Sequence, residues 1–138
     1  MEVLNPDDSA VDPEDESSVN DHSVVLRLTY RRAGVLFAAD AGEEAEESII
    51  GARGSIRSAV LKVGHHGSSG STSEIWLKAV RPRVAVISVG RRNPFGHPSA
   101  STLQRLVDCG ARVFRTDRDG AVTITTDGRD LHVSTTRR

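Results

Sequence analysis

The chain has 138 residues, 37% of them hydrophobic and 27% charged, which is the length and balance of one globular domain and excludes collagen-like, wholly disordered and coiled-coil architectures. Its longest largely apolar run, Val84 to Val89, falls far short of the roughly 20 residues that a bilayer span requires, and the start is acidic where a signal peptide would be basic. A single cysteine, Cys109, excludes an internal disulfide, and the net charge of −1 conceals an asymmetry, with thirteen Asp/Glu against three Arg in residues 1–52 and fifteen Lys/Arg against six acids in 53–138.

Residues 1–22 are expected to form a loose acidic linker, because Pro6 and Pro13 interrupt it and seven Asp/Glu lie among Ser and Asn in residues 5–22 with little to bury; the domain proper is then 23–138. From Ser23 the residues Val24, Leu26 and Leu28 alternate with Val25, Arg27 and Thr29, the period of a half-buried strand, and Ala33-Gly34 is expected to return the chain into Val35–Phe37 as a hairpin. Glu43–Ile50 places acids where they complement a helix dipole, with Gly51 and Gly54 to end the helix. Ala59–Val63 predicts a strand, Gly64–Ser73 a Gly/Ser-rich loop, and Glu74–Val80 a helix that Pro82 stops, with Ser71 and Glu74 as a capping box and Ile75, Leu77 and Val80 as its buried side.

Val84–Val89 is β-branched and continuous, as in a strand covered on both faces. After the loop Gly90–Ser99 a helix is predicted from Ser101, capped with Gln104, burying Leu103, Leu106 and Val107 and ending at Gly110. Arg112–Arg115, Ala121–Thr125 and Leu131–Thr135 read as three closing strands, joined by turns at Asp119-Gly120 and Asp127-Gly128. This alternation of strands and helices argues for a layered α/β domain.

In such sheets ligands bind at the carboxyl ends of strands. Three predicted strand ends carry titratable groups: Asp40, the pair His65-His66, and His97. An acid with imidazoles suits mixed O/N ligation of zinc or manganese, although a lone Asp there is commonly a turn residue and a lone His a hydrogen-bonded loop residue. Ser68 and the hydroxyls that follow it lie ahead of a helix N-terminus, where a phosphate could dock or where Ser71 merely caps the helix. Arg91, Arg92 and Arg115 read equally as phosphate contacts or solvated charges. His22 and His132 are read as hydrogen-bonded or exposed, Cys109 as a packing residue, and Trp76 as core rather than a base-stacking platform.

The segments Leu61-Lys-Val-Gly-His-His-Gly-Ser68, Val84-Ala-Val-Ile-Ser-Val-Gly90, Asn93-Pro-Phe-Gly-His-Pro98 and Arg115-Thr-Asp-Arg-Asp-Gly120, in that order, resemble the metallo-β-lactamase-like domain of ComEC-type DNA-uptake competence proteins. The resemblance extends from about Asn20 to Val133, with Ala39 where the family has Gly. It implies an αββα sandwich with a dinuclear metal centre that hydrolyses DNA phosphodiesters. Asp40 would be the carboxylate shared by the metals, His65 or its neighbour His66 a ligand, and His97, with Ser68, Arg91 and Arg92, would lie near the substrate phosphate.

The family's first metal motif, His-x-His-x-Asp-His, has no counterpart among the 138 residues. The expectation is therefore the C-terminal half of such a domain, a metal-dependent hydrolase made incomplete by the lack of roughly three or four ligands. The alternatives are a non-catalytic DNA-binding or partner-binding module derived from that fold, and a stand-alone hydrolase of another ester. Half a sandwich leaves an apolar sheet face open, so self-association or a second chain is expected to cover it. The chain by itself would default to the cytoplasm, whereas the family's domain is membrane-attached and lies outside it.

Overall fold

The computed structural model describes residues 1–6 and 19–137. In chain order the elements are β1 (Glu2–Asn5), β2 (Val25–Tyr30), β3 (Ala33–Phe37), α1 (Glu43–Ala52), β4 (Val60–Lys62), α2 (Glu74–Val80), β5 (Val84–Ile87), α3 (Ala100–Asp108), β6 (Arg112–Arg115), α4 (Thr116–Asp119), β7 (Val122–Thr126) and β8 (Leu131–Thr135), with a 3-10 turn at Gly64–Gly67. β1 to β6 form one sheet in sequence order. The β1–β2 and β2–β3 pairs are antiparallel, and the steps from β3 to β6 are parallel.

Each parallel step advances one place in the same direction, so right-handed crossovers put α1, α2 and α3 on the same face. Ala45, Ile49, Trp76, Leu77, Val80 and Leu106 from these helices gather there with Val25, Leu36, Leu61, Ala85 and Ile87 from the strands. β7 and β8 pair as a separate two-stranded ribbon. That ribbon leaves the sheet edge at β6, and its tip is tied to the turn between β2 and β3: the Arg32 amide donates to the Gly128 carbonyl (3.0 Å) and the Arg31 guanidinium to that of Asp127 (3.2 Å). Val60 and Val84 lie outside the core cluster that the helices form with the sheet, yet are buried as well. Among the described residues of the sheet, Val3, Leu28, Tyr30 and Phe37 on β1–β3 are exposed and leave apolar surface open at that end.

The architecture is mixed α/β, as the alternation of elements indicates; nothing in it singles out an αββα sandwich. Several local expectations are corrected. Glu2–Asn5 is a strand rather than linker, and Asn5 Nδ2 anchors it to the carbonyls of Asp21 and Ser23 (2.7 and 2.8 Å). The rest of the expected linker, residues 7–18 with Pro13, lies outside the described residues. The first hairpin turns at Arg31-Arg32, two residues before Ala33-Gly34, because Tyr30 pairs with Ala33. Helix α1 continues through Gly51.

Each of the two following helices starts from a serine other than the one expected. Ser73 caps α2 by accepting the Trp76 amide, and Ser99 caps α3 by accepting that of Thr102. The faces shift with the caps: Trp76 is fully buried while Ile75 is 53% exposed, and Thr102 is buried while Val107 is exposed. The Asp119-Gly120 turn is preceded by the short helix α4.

Candidate functional site

Parallel strands β3, β4 and β5 end side by side, and their exits carry the titratable residues singled out in the sequence. The backbone there is unusually constrained. Ala39 (φ 47°), His65 (φ 44°), His66 (φ 53°) and Thr72 (φ 59°) all adopt left-handed conformations that L residues occupy at a cost of roughly 1–2 kcal/mol each. Strain of this kind persists only where the surroundings fix it. The His65 amide donates to the Ala39 carbonyl (2.9 Å), which locks the β4 exit against the β3 exit.

Ala39, just before Asp40, stands at φ 47°, a conformation that glycine adopts without strain. Ala39→Gly is expected to stabilise the fold by up to about 1 kcal/mol, since relief of the left-handed strain exceeds the extra entropy of an unfolded glycine. Urea unfolding measures this, and a destabilised variant would show that the Ala39 methyl makes a packing contribution larger than its strain.

His66 and Asp40 face each other, with Nε2 3.8 Å from Oδ1. His66 Nδ1 lies 2.7 Å from the Ser88 carbonyl at the end of β5, so Nδ1 carries the proton and Nε2 is the nitrogen presented to Asp40. His65 turns the other way and meets His97 edge to face, with ring centroids 5.8 Å apart. The neighbouring Lys62 amine donates to the Val63 carbonyl (3.0 Å); burial holds its ammonium below the usual lysine range, and the nearby Asp40 charge opposes that shift.

The loop after β5 is rigidly built. Asn93 Nδ2 donates to the carbonyls of Gly90 (3.1 Å) and His97 (2.9 Å), while its Oδ1 accepts the His97 amide (2.9 Å). Phe95 is held outward, 77% exposed, with its ring stacked on that of His97 at 6.0 Å and 20°. Between this loop and β5 lies a cleft of about 340 Å³ lined by His66, Ser88, Val89, Gly90, Asn93, Phe95 and His97. The Ser68 hydroxyl oxygen accepts the Gly70 amide (3.4 Å), and Ser71, instead of capping a helix, donates to the Gly64 and Ser68 carbonyls. Arg105 stitches this loop to α3, donating to the carbonyls of Ser69, Ser71 and Thr72.

The structure therefore brings Asp40 to His66, and His65 to His97, as two separate pairs. Among the described residues no group of three or more His, Cys, Asp or Glu converges, so these donors do not fit the three or four ligands of a zinc site, and the set Asp40, His65 and His66 is not assembled as one corner. Arg91 and Arg92 are exposed beside the cleft; Arg91 Nε donates to the Asp117 carbonyl (3.2 Å). Arg115 is committed elsewhere. It makes a bidentate pair with Asp117 (3.0 and 2.6 Å), which holds that carboxyl below its ordinary range. His22 lies in the turn ahead of β2, and His132 is exposed on β8.

Three residues of the site were not singled out from the sequence. Lys62, Asn93 and Phe95 all lie within the quoted motifs around His65 and His97, where their position beside a histidine was the available signal.

Fold and site together define a small α/β domain with a cleft at its parallel strand ends, lined by two histidines and an aromatic ring. No family model matches the chain. It is similar to ComE operon protein 3 of Bacillus subtilis (38% identical over 120 residues, 87% of this chain and 15% of that protein) and to competence protein ComA of Neisseria gonorrhoeae (37% over 113 residues, 80% and 16%). Recombination protein 2 of Haemophilus influenzae is 43% identical over 105 residues, 76% of this chain and 13% of that protein. The chain thus spans 13–16% of the length of these relatives.

These similarities correct the sequence reading on two points. They support likeness to competence proteins, and not an assignment to the metallo-β-lactamase-like domain of ComEC-type proteins; the relatives' names denote no such domain. Nor does any of those names denote a hydrolase or a metal protein, so the metal-dependent phosphodiesterase reading is withdrawn. Among the described residues no helix is long and apolar enough to cross a membrane.

Proposed function

We propose that this chain is a non-catalytic DNA-binding module that acts in competence, holding DNA during its uptake. The observation that supports the reading most directly is the basic loop after β5. Arg91 and Arg92 are exposed there without a carboxylate partner among the described residues, on a half of the chain with fifteen Lys/Arg against six acids. Phosphate neutralisation of this kind supplies sequence-independent affinity and a steep dependence on salt. The likeness to two proteins with competence in their names or operon agrees with it.

The test is fluorescence anisotropy with a labelled duplex over a range of salt concentrations. The double variant Arg91→Ala/Arg92→Ala is expected to bind more weakly, and to lose about two counterions from the slope of log K against log salt. Chelation of divalent metal with EDTA is expected to leave the affinity unchanged. An unaltered slope in the double variant, or binding that EDTA abolishes, overturns this reading.

A further inference from the structure

We infer that the cleft beside Phe95 is a stacking site for an unpaired nucleobase, so that the module prefers single-stranded to duplex DNA. The inference rests on the DNA-binding reading and deepens it. Phe95 is 77% exposed, and it is not exposed through slackness. Its loop is pinned by the three Asn93 hydrogen bonds, and its ring is already held nearly parallel to the His97 imidazole. Pre-organisation removes the ordering cost that a mobile aromatic would incur on binding.

The cleft of about 340 Å³ has Phe95 and Val89 in its wall. His66, also in that wall, is fixed by the Ser88 carbonyl. Arg91 and Arg92 follow the same strand end at the chain positions just before Phe95, placing positive charge where the phosphates that flank an inserted base would run. A π face for the base with cations for the backbone is the arrangement by which single strands are held without sequence readout, and each stacked base contributes about 1–3 kcal/mol. A base inside a duplex offers no free face to Phe95, so duplex binding would use the arginines alone.

The experiment compares Phe95→Ala and Phe95→Trp with the parent chain on a labelled single strand and on its duplex, with circular dichroism to confirm folding. The parent is expected to bind the single strand more tightly, and Phe95→Ala to lose roughly 5- to 150-fold on the single strand while staying within twofold on the duplex. Phe95→Trp is expected to retain single-strand binding. A single strand carrying 2-aminopurine should be quenched by the parent and not by Phe95→Ala. Equal losses on both DNA forms, no loss on either, or a parent that binds duplex alone overturn the stacking site while leaving the DNA-binding reading intact. A parent that binds neither form overturns the reading itself.

Discussion

Glu46→Ala is expected to lower the stability of the fold by about 2–4 kcal/mol in urea unfolding. The Glu46 side chain is fully buried in α1, and its carboxylate accepts the amides of Thr72 (2.5 Å) and Ser73 (2.9 Å). Those amides lie at the start of α2 and belong to backbone that the helix itself cannot satisfy. Alanine leaves both donors without a partner, at about 1–3 kcal/mol each when buried, and opens a void besides.

The loss should depend on pH in a defined direction. Burial pushes the Glu46 carboxyl above its ordinary value of 4.5, the Ser73 and Thr72 amides pull it back, and the Glu43 charge adds a further upward push. The folded chain thus holds the Glu46 proton more tightly than the unfolded one. The stability linked to that proton is fully present below pH 4.5 and is lost as pH rises through the raised native value. The difference between parent and Glu46→Ala should therefore be larger at pH 4.5 than at pH 8. Parallel profiles, or a loss below 1 kcal/mol, would refute this account of the residue.

Gly67→Ala is the second large effect. Gly67 sits at φ 84°, and a β-carbon added there would lie 2.6 Å from Cβ and 3.2 Å from Cα of Pro98. A proline ring and its backbone cannot swing aside, and the Gly67 carbonyl already accepts the Ser99 amide (2.9 Å). Overpacking of about 1–3 kcal/mol with a left-handed penalty of about 1–2 kcal/mol gives an expected loss of roughly 2–5 kcal/mol. For a domain of this size that lowers the melting temperature by about 7–17 °C. Gly96→Ala serves as the control, since φ is 70° there and nothing lies within 4 Å of the added carbon; it should cost only the backbone penalty. Equal melting temperatures for the two variants would show that the Gly67–Pro98 contact yields freely.

The elements most legible in the sequence were those with strong local signals. Glu74–Val80, Arg112–Arg115 and Leu131–Thr135 were read with the bounds they have in the structure. What composition conceals is phase. Val24, Leu26 and Leu28 make a regular apolar alternation, yet Val25 is the core residue and Val24 is exposed, because a strand with apolar residues on both faces does not say which face the helices cover. The serine-rich approaches to α2 and α3 offered several capping candidates at consecutive turns, and tertiary bonds decided among them: Glu46 holds the amide of Ser73, and Ser71 is drawn to Gly64 and Ser68.

β1 was hidden because four residues are too few to show a period, and its anchor, the Asn5 amide, acts on Asp21 and Ser23 far along the chain. At the site, the rule that ligands gather at strand ends points to Asp40, His65, His66 and His97, and the structure places them in the exits of β3 and β4 and the loop after β5. Their pairing was not legible. Two successive residues in left-handed conformation at His65 and His66 send adjacent imidazoles in different directions, one toward His97 and the other toward Asp40.

The bonds that join the loops after β4 and β5 have a mechanical result. Gly67 to Ser99, Ser68 to Thr102, and Arg105 to Ser69, Ser71 and Thr72 form a seam across two segments separated by about thirty residues of chain. Neither flap can hinge by itself without tearing that seam. The rim of the cleft therefore behaves as a single stiff plate, and whatever enters must be received by a shape that is already set.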